Sequence, residues 1–207
     1  MKPLCLAGFL LAVLFISGCQ GTGEIVKLRI QHMESAVDAK SSSLTVAVSP
    51  FDDQRQSSGH LGMRTRGGGS QTYFDVMDGT LSQRVTNSFV DFLNQAGFSA
   101  SPANGTGSAN VRIESAIQKF TVQATDKPLS TFLEVDTVMA FTVHNADDDS
   151  TVRISVGVGK TDHEVVFAKE DMEELIGKVL GEGFEEFLEK TEVQGQVLKF
   201  RLPEESS

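Results

Sequence analysis

The sequence predicts an α+β fold: a single domain in which an antiparallel-rich sheet carries two amphipathic helices packed on one face. Three observations lead there. Several segments alternate apolar and polar residues with the period of a strand, and two longer ones repeat apolar residues with the period of a helix. The third is composition, since 207 residues with 40% hydrophobic and 22% charged side chains suit one core rather than a fibrous or disordered chain.

The chain divides into a leader over 1–18, a tether over 19–43 and a folded domain over 44–207. The leader has Lys2 as its lone charge and an apolar or small-residue run from Leu4 to Ile16. That run is shorter than the roughly 20 residues a membrane-spanning helix needs, so it reads as a secretory signal that is removed. Ile16, Ser17, Gly18 and Cys19 resemble the bacterial lipobox. The resemblance implies a diacylglycerol thioether on Cys19 and cleavage before it. Several acyl chains together hold a protein at a bilayer far more firmly than one, at about 0.8 kcal/mol per buried methylene. Cys5 leaves with the leader, so no disulfide and no thiolate metal site is expected, and the only attached group is the lipid on Cys19. Gln20 stands where an inner-membrane retention signal would place Asp, which implies delivery to the outer membrane, facing the periplasm.

Beyond the leader, Val26, Leu28 and Ile30 alternate with polar neighbours as a strand, and 33–43 reads as linker. Leu44, Val46 and Val48 form the next strand, which Pro50 ends because it lacks an amide donor. Residues 54–74 hold Arg55, Arg64, Arg66, His60 and five glycines with no acid, and read as a long flexible basic loop. Thr80 and Gln83 have capping-box spacing, and Leu81, Val85, Phe89, Phe92, Leu93 and Ala96 share one helical face that ends at Gly97. Residues 99–109 read as a turn. Three strands follow, Val111–Ile117, Leu133–Val143 and Val152–Val158, as antiparallel neighbours. A second helix spans Glu170–Leu188, with Gly181 and Gly183 weakening its middle to the point of a kink or a break. Leu198, Phe200 and Leu202 predict a terminal strand.

The charge balance of 28 acidic against 18 basic side chains, a net of −10, argues against nucleic acid and against broad contact with anionic lipid. The chain lacks a G-x-S-x-G elbow and an H-E-x-x-H helix, and its four histidines stand far apart, so it predicts no enzyme and no metal site. Asp147–Asp149 reads as a hairpin turn, and the acids of 170–192 as the wet face of the second helix. The segment GMRTRGGGS leaves two readings open: a plain connection, or a loop in which Arg55, Arg64 and Arg66 bind a partner or an anion.

The lipobox, the segment VAVSPFDDQR, a helix ending FLNQAGF, the strand NVRIESAIQKF and an acidic final helix resemble the YajG-type family of uncharacterised Gram-negative outer-membrane lipoproteins. The pieces are also similar to auxiliary lipoproteins of lipid-transport ABC systems and lipopolysaccharide assembly. The first resemblance implies an anchored, non-catalytic envelope interaction or adaptor protein, its partners the membrane and an envelope protein. The second implies a component of lipid or lipopolysaccharide transport, which needs an apolar groove of acyl-chain size.

Overall fold

The computed structural model describes residues 23–32, 44–56, 59–103 and 108–201. Through them run β1 (Glu24–Leu28), β2 (Thr45–Val48), β3 (Asp52–Asp53), β4 (Gly62–Thr65), β5 (Gln71–Val76), α1 (Leu81–Gln95), β6 (Ser99–Pro102), β7 (Val111–Lys127), β8 (Ser130–Asn145), β9 (Thr151–Glu164), α2 (Lys169–Glu189), β10 (Thr191–Gln194) and β11 (Val197–Phe200). Cys19 and the linker 33–43 lie outside the described residues. Since β1 pairs with β5, and Leu28 and Ile30 are buried, the folded unit starts ahead of the expected boundary at 44.

Strand β7 is the axis of the sheet. One of its edges carries β8 in an antiparallel ladder along almost its whole length, and β9 continues outward from β8. Its other edge carries three short parallel strands in series: β2 beside Val111–Ile113, β3 beside Ala116–Ile117 and β4 beside Val122–Thr125. The expected antiparallel β7–β8–β9 block is present and holds the longest ladders, but the sheet as a whole is mixed and not purely antiparallel. Five of its pairings are parallel among the described residues: β1–β5, β2–β6, β2–β7, β3–β7 and β4–β7. Strands β2, β3 and β4 follow one another in the direction of β7; β5 runs back antiparallel to β4, and after α1 the chain re-enters the sheet as β6 and then β7, both parallel to β2.

Within the stretch 54–74, expected to be a flexible loop, residues 62–74 form a hairpin instead. Thr65 pairs with Gln71 and Gly62 with Phe74 in a β4–β5 hairpin, and Gly68 and Gly69 supply the positive φ values of its turn. Segment 99–102 is a strand beside β2, and β10 pairs with β11 as a separate hairpin. The second helix is continuous from Lys169 to Glu189. Gly183 is a contact point rather than a weak one: a Cβ there would lie 2.7 Å from Met139 Cε on β8.

A register shift between Ile117 and Lys119 keeps β7 amphipathic. Val111, Ile113 and Ile117 are buried before it, and Phe120, Val122 and Ala124 after it, so the extra residue returns the apolar set to the inner face. Both helices pack there. Phe89 of α1 meets Phe184 and Phe187 of α2 and Phe141 of β8, with ring centroids 5.0, 5.4 and 5.3 Å apart, and Phe51 lies 5.8 Å from both Phe89 and Phe141. Each buried Phe contributes on the order of 2–3 kcal/mol by transfer from water. Helix α1 begins and ends as its sequence predicts. Thr80 Oγ1 accepts from the Gln83 amide, Gln83 Oε1 accepts from the Thr80 amide, and Phe98 N donates to Leu93 O past a left-handed Gly97.

The C-terminal hairpin is held to the sheet by one buried amide side chain. Asn145 Oδ1 accepts from Leu198 N at 2.8 Å and Asn145 Nδ2 donates to Leu198 O at 3.0 Å, so the side chain stands in for a strand partner. Lys199 reaches Asp148 and Ser150 beside it, and the ammonium hydrogen bond draws the Asp148 carboxyl down to about 2.

Two substitutions test this packing. At Gly62 an added Cβ would fall 1.8 Å from the Val122 carbonyl oxygen, and backbone cannot swing aside. Gly62→Ala is expected to lower stability by about 3 kcal/mol, read as a fall in the urea midpoint. Asn145→Ala leaves the Leu198 amide and carbonyl unpaired, for a loss of about 2 kcal/mol and faster hydrogen exchange at Leu198.

Candidate functional site

The three arginines singled out from the sequence lie on the β3–β5 side of the sheet, and each is matched to a carboxylate. Arg55 follows β3, its side chain only 8% exposed, with Nε and Nη2 each 2.8 Å from the two Asp53 oxygens. Arg64 on β4 forms the same fork with Asp126, at 2.9 and 2.7 Å. Its guanidinium lies 4.4 Å over the Phe167 ring, which stacks in turn on Phe74 at 5.9 Å. Arg66 reaches Glu24 of β1 at 2.8 Å, and both side chains are exposed.

These residues do not converge on one anion cradle. The Gln54 amide meets the Ile117 carbonyl, whereas Arg64 sits opposite Ala124, so Arg55 and Arg64 are divided by roughly 20 Å of strand at about 3.3 Å per residue. Their forks already hold carboxylates, the geometry that suits a guanidinium best. The adjacent glycines serve the hairpin: Gly69 N donates to Arg66 O, and Arg66 N to Ser70 O, each at 2.9 Å.

Beside Arg55 is a polar cleft of about 310 Å³ lined by Lys27, Asp53, Arg55, His60, Asp75 and Thr80. His60 Nδ1 is 2.7 Å from Asp75 Oδ1, its ring stacks on Tyr73 at 4.7 Å, and Lys27 Nζ lies 3.7 Å from the other Asp75 oxygen. An imidazole oriented by a carboxylate is the arrangement a general base uses. The hydroxyl lining the same cleft is that of Thr80, which is committed to the α1 cap. The His60–Asp75 pair is invisible in the sequence because its members are fifteen residues apart and meet only through the β4–β5 hairpin.

A second histidine has a structural role. His32 is buried against Phe92, 5.8 Å between centroids, and its backbone amide donates to Ser88 Oγ at 2.8 Å. Ser88 Oγ is also 2.9 Å from Nδ1, and Nε2 is 3.4 Å from Gln95 Oε1. Ser88 Oγ thus meets both the backbone amide and the ring of His32, tying the segment after β1 to α1. Among the described residues no group of His, Cys, Asp and Glu is arranged to hold a metal, and no helix is long and apolar enough to cross a membrane.

The chain matches no family model and no curated protein. Solved structures share its fold. A Xanthomonas campestris protein of the DUF330 family superposes with a TM-score of 0.51 at 9% identity, over 81% of this chain and 92% of that one. An uncharacterised protein superposes with a TM-score of 0.50 at 7% identity, over 81% and 97%. The lipoprotein GNA1162 from Neisseria meningitidis aligns over 64% and 92% at 10% identity with a TM-score of 0.34, too loose to establish a common fold. At such identities the first two establish shared architecture.

The ion pairs give the domain a dependence on acid. Hydrogen bonds from Arg64 hold the Asp126 carboxyl below the ordinary aspartate value of 3.8, and those from Arg55 do the same for Asp53. A depressed folded-state value means stabilisation that is complete above the unfolded value and is lost as pH falls through the folded one. Asp126→Asn is therefore expected to lower the melting temperature at pH 7 and to reduce the decline from about pH 4 downward, as followed by circular dichroism.

Proposed function

We propose that this protein is a non-catalytic interaction or adaptor lipoprotein, held at the outer membrane by lipid on Cys19 and facing the periplasm. The lipobox Ile16–Cys19 and the resemblance to YajG-type lipoproteins support the anchor. The interaction reading is carried by one observation: β9, fourteen residues long, pairs only with β8 among the described strands, so its outer edge lies at the rim of the sheet. An extended partner segment can add to such an edge through main-chain hydrogen bonds. Lys190 Nζ donates to the Ser155 carbonyl at 3.1 Å, the device by which a charged side chain blunts an edge locally.

The paired arginines favour this reading over an anion-binding one, because each guanidinium would have to release a carboxylate before taking a ligand. The transport alternative needs an acyl-sized groove, but the space between helices and sheet is filled by the ring cluster around Phe89, and the cleft beside Arg55 is lined mainly by polar residues.

Two measurements in intact cells test the proposal. Wild-type protein is expected to incorporate labelled palmitate and Cys19→Ala to incorporate none; label retained by the variant removes the anchor. A photo-crosslinking amino acid at Thr161, exposed on β9, is expected to yield a discrete adduct that the same probe at Asp147 does not. Equal patterns at the two positions would dismiss the edge as a docking site.

A further inference from the structure

The end of the sheet formed by the β7–β8 turn and the exit from β9 carries three aliphatic side chains in water. Leu129, Val165 and Val166 are 88%, 82% and 74% exposed. They leave the same end of the sheet: Thr131 is paired with Glu164 at the last step of the β8–β9 ladder, with Leu129 in the turn just before β8 and Val165 and Val166 just after β9. Apolar side chains this exposed are hydrated at a free-energy cost that covering them would remove.

The charges around this end are mixed. Lys127 and Glu164 flank the aliphatic group, with Asp162 and His163 next along β9. Behind them lie the Arg64–Asp126 and Arg66–Glu24 pairs, each internally neutral. Lys127 Nζ is 5.8 Å from the Phe132 ring centroid, its charge at the rim of the apolar group. A rim that carries both signs does not select a strongly charged partner.

The strand register indicates what this end faces. Glu24 is level with Thr72, Thr72 with Arg64, Arg64 with Ala124, Ala124 with Leu133 and Leu133 with Asp162. Strand β1 runs away from the aliphatic end, so the chain preceding Glu24 leads toward it. Cys19 is five residues before Glu24, and Leu129 is five residues past Ala124. At no more than about 3.4 Å per residue, five residues can cover up to roughly 17 Å, so the length of chain between Cys19 and Glu24 suffices to bring an acyl group level with the Leu129 tip.

We propose that the Leu129–Val165–Val166 tip is a second, non-covalent contact with the same bilayer, entering the interface of a zwitterionic membrane and fixing how the domain stands on it. The proposal rests on the anchored reading for the direction the molecule faces. The covering agent is lipid because the tip shares its end of the sheet with the start of β1, five residues after Cys19 in the sequence. Its contact is apolar and so insensitive to salt.

The test uses the full chain, expressed in a bacterial host and reconstituted into phosphatidylcholine–phosphatidylethanolamine vesicles, with intact mass reporting acylation of Cys19. An environment-sensitive fluorophore is placed on Leu129→Cys or, at the opposite end of the sheet, on Asp147→Cys. The label at 129 is expected to shift to the blue, brighten severalfold and be quenched by nitroxide lipids, equally at low and high salt, while the label at 147 stays water-like. Adding Val165→Asp and Val166→Asp is expected to abolish the response at 129 without changing the circular dichroism or the acyl mass. Acylated protein with a water-like label at 129 overturns the tip contact and leaves the anchor standing. Unacylated protein whose label still enters the bilayer removes the anchor and supports the tip, whereas an unacylated, water-like result removes both. A label at 129 that is water-like on vesicles but shielded in whole envelopes overturns the bilayer contact in favour of a protein partner.

Discussion

Strand β7 has to keep one face apolar for seventeen residues while both of its edges are in use, and the sheet depends on that continuity. An unbroken alternation would serve if every partner kept step. The shift between Ile117 and Lys119 instead inserts one residue, after which Phe120, Val122 and Ala124 rejoin Val111, Ile113 and Ile117 beneath the helices. Without it a single-residue slip would turn the second half of the strand inside out. The rest follows by contact. Phe141 on the neighbouring strand faces the same interior and meets Phe51, Phe89 and Phe187, which arrive from the β2–β3 segment, α1 and α2.

The parallel edge of β7 explains the arginines. Three short strands laid end to end leave bends between them, and the chain carries polar side chains through those bends. Arg55 turns back onto Asp53 in its own segment, whereas Arg64 reaches across to Asp126 at the far end of β7. Each pair is partly shielded by its surroundings, Arg64 by the face of Phe167. Arg64 thus fastens β4 to the end of β7 while Arg55 braces the segment after β3, and the positive charge that makes 54–74 conspicuous as a sequence is neutralised within the domain.

Elements governed by local signals were legible before any coordinates. Thr80 and Gln83 announce the cap of α1 and Gly97 its end, because these interactions span three or four residues. The alternation in β8 is unbroken from Thr131 to Asn145, and its ladder lies where the pattern puts it. What could not be read depends on distant pairing. Met63 and Tyr73 have no strand signature of their own among glycines and arginines; they are extended because β7 and β1 offer backbone partners. Gly62 looks like a loop residue and is a place where two backbones nearly touch. Gly183 reads as a flaw in a helix and lets it settle on Met139. Of the candidate site, Arg55, Arg64 and Arg66 stood out by composition, but their carboxylates did not, since Asp126 is sixty-two residues from Arg64.

The order of the strands also governs how the molecule is assembled in time. Sixty-five residues separate Thr45 from Asn110, whose side chain receives the hydrogen bonds that open the β2–β7 border. Strands β3 and β4 therefore have no parallel partner until β7 has formed. Closing a span of that size demands much chain entropy before any ladder bond returns it, so the β7–β8–β9 meander can form early as a local unit and the N-terminal pieces dock late. Until they do, one border of β7 stands open to any passing strand, a transient edge that the three short parallel strands close last.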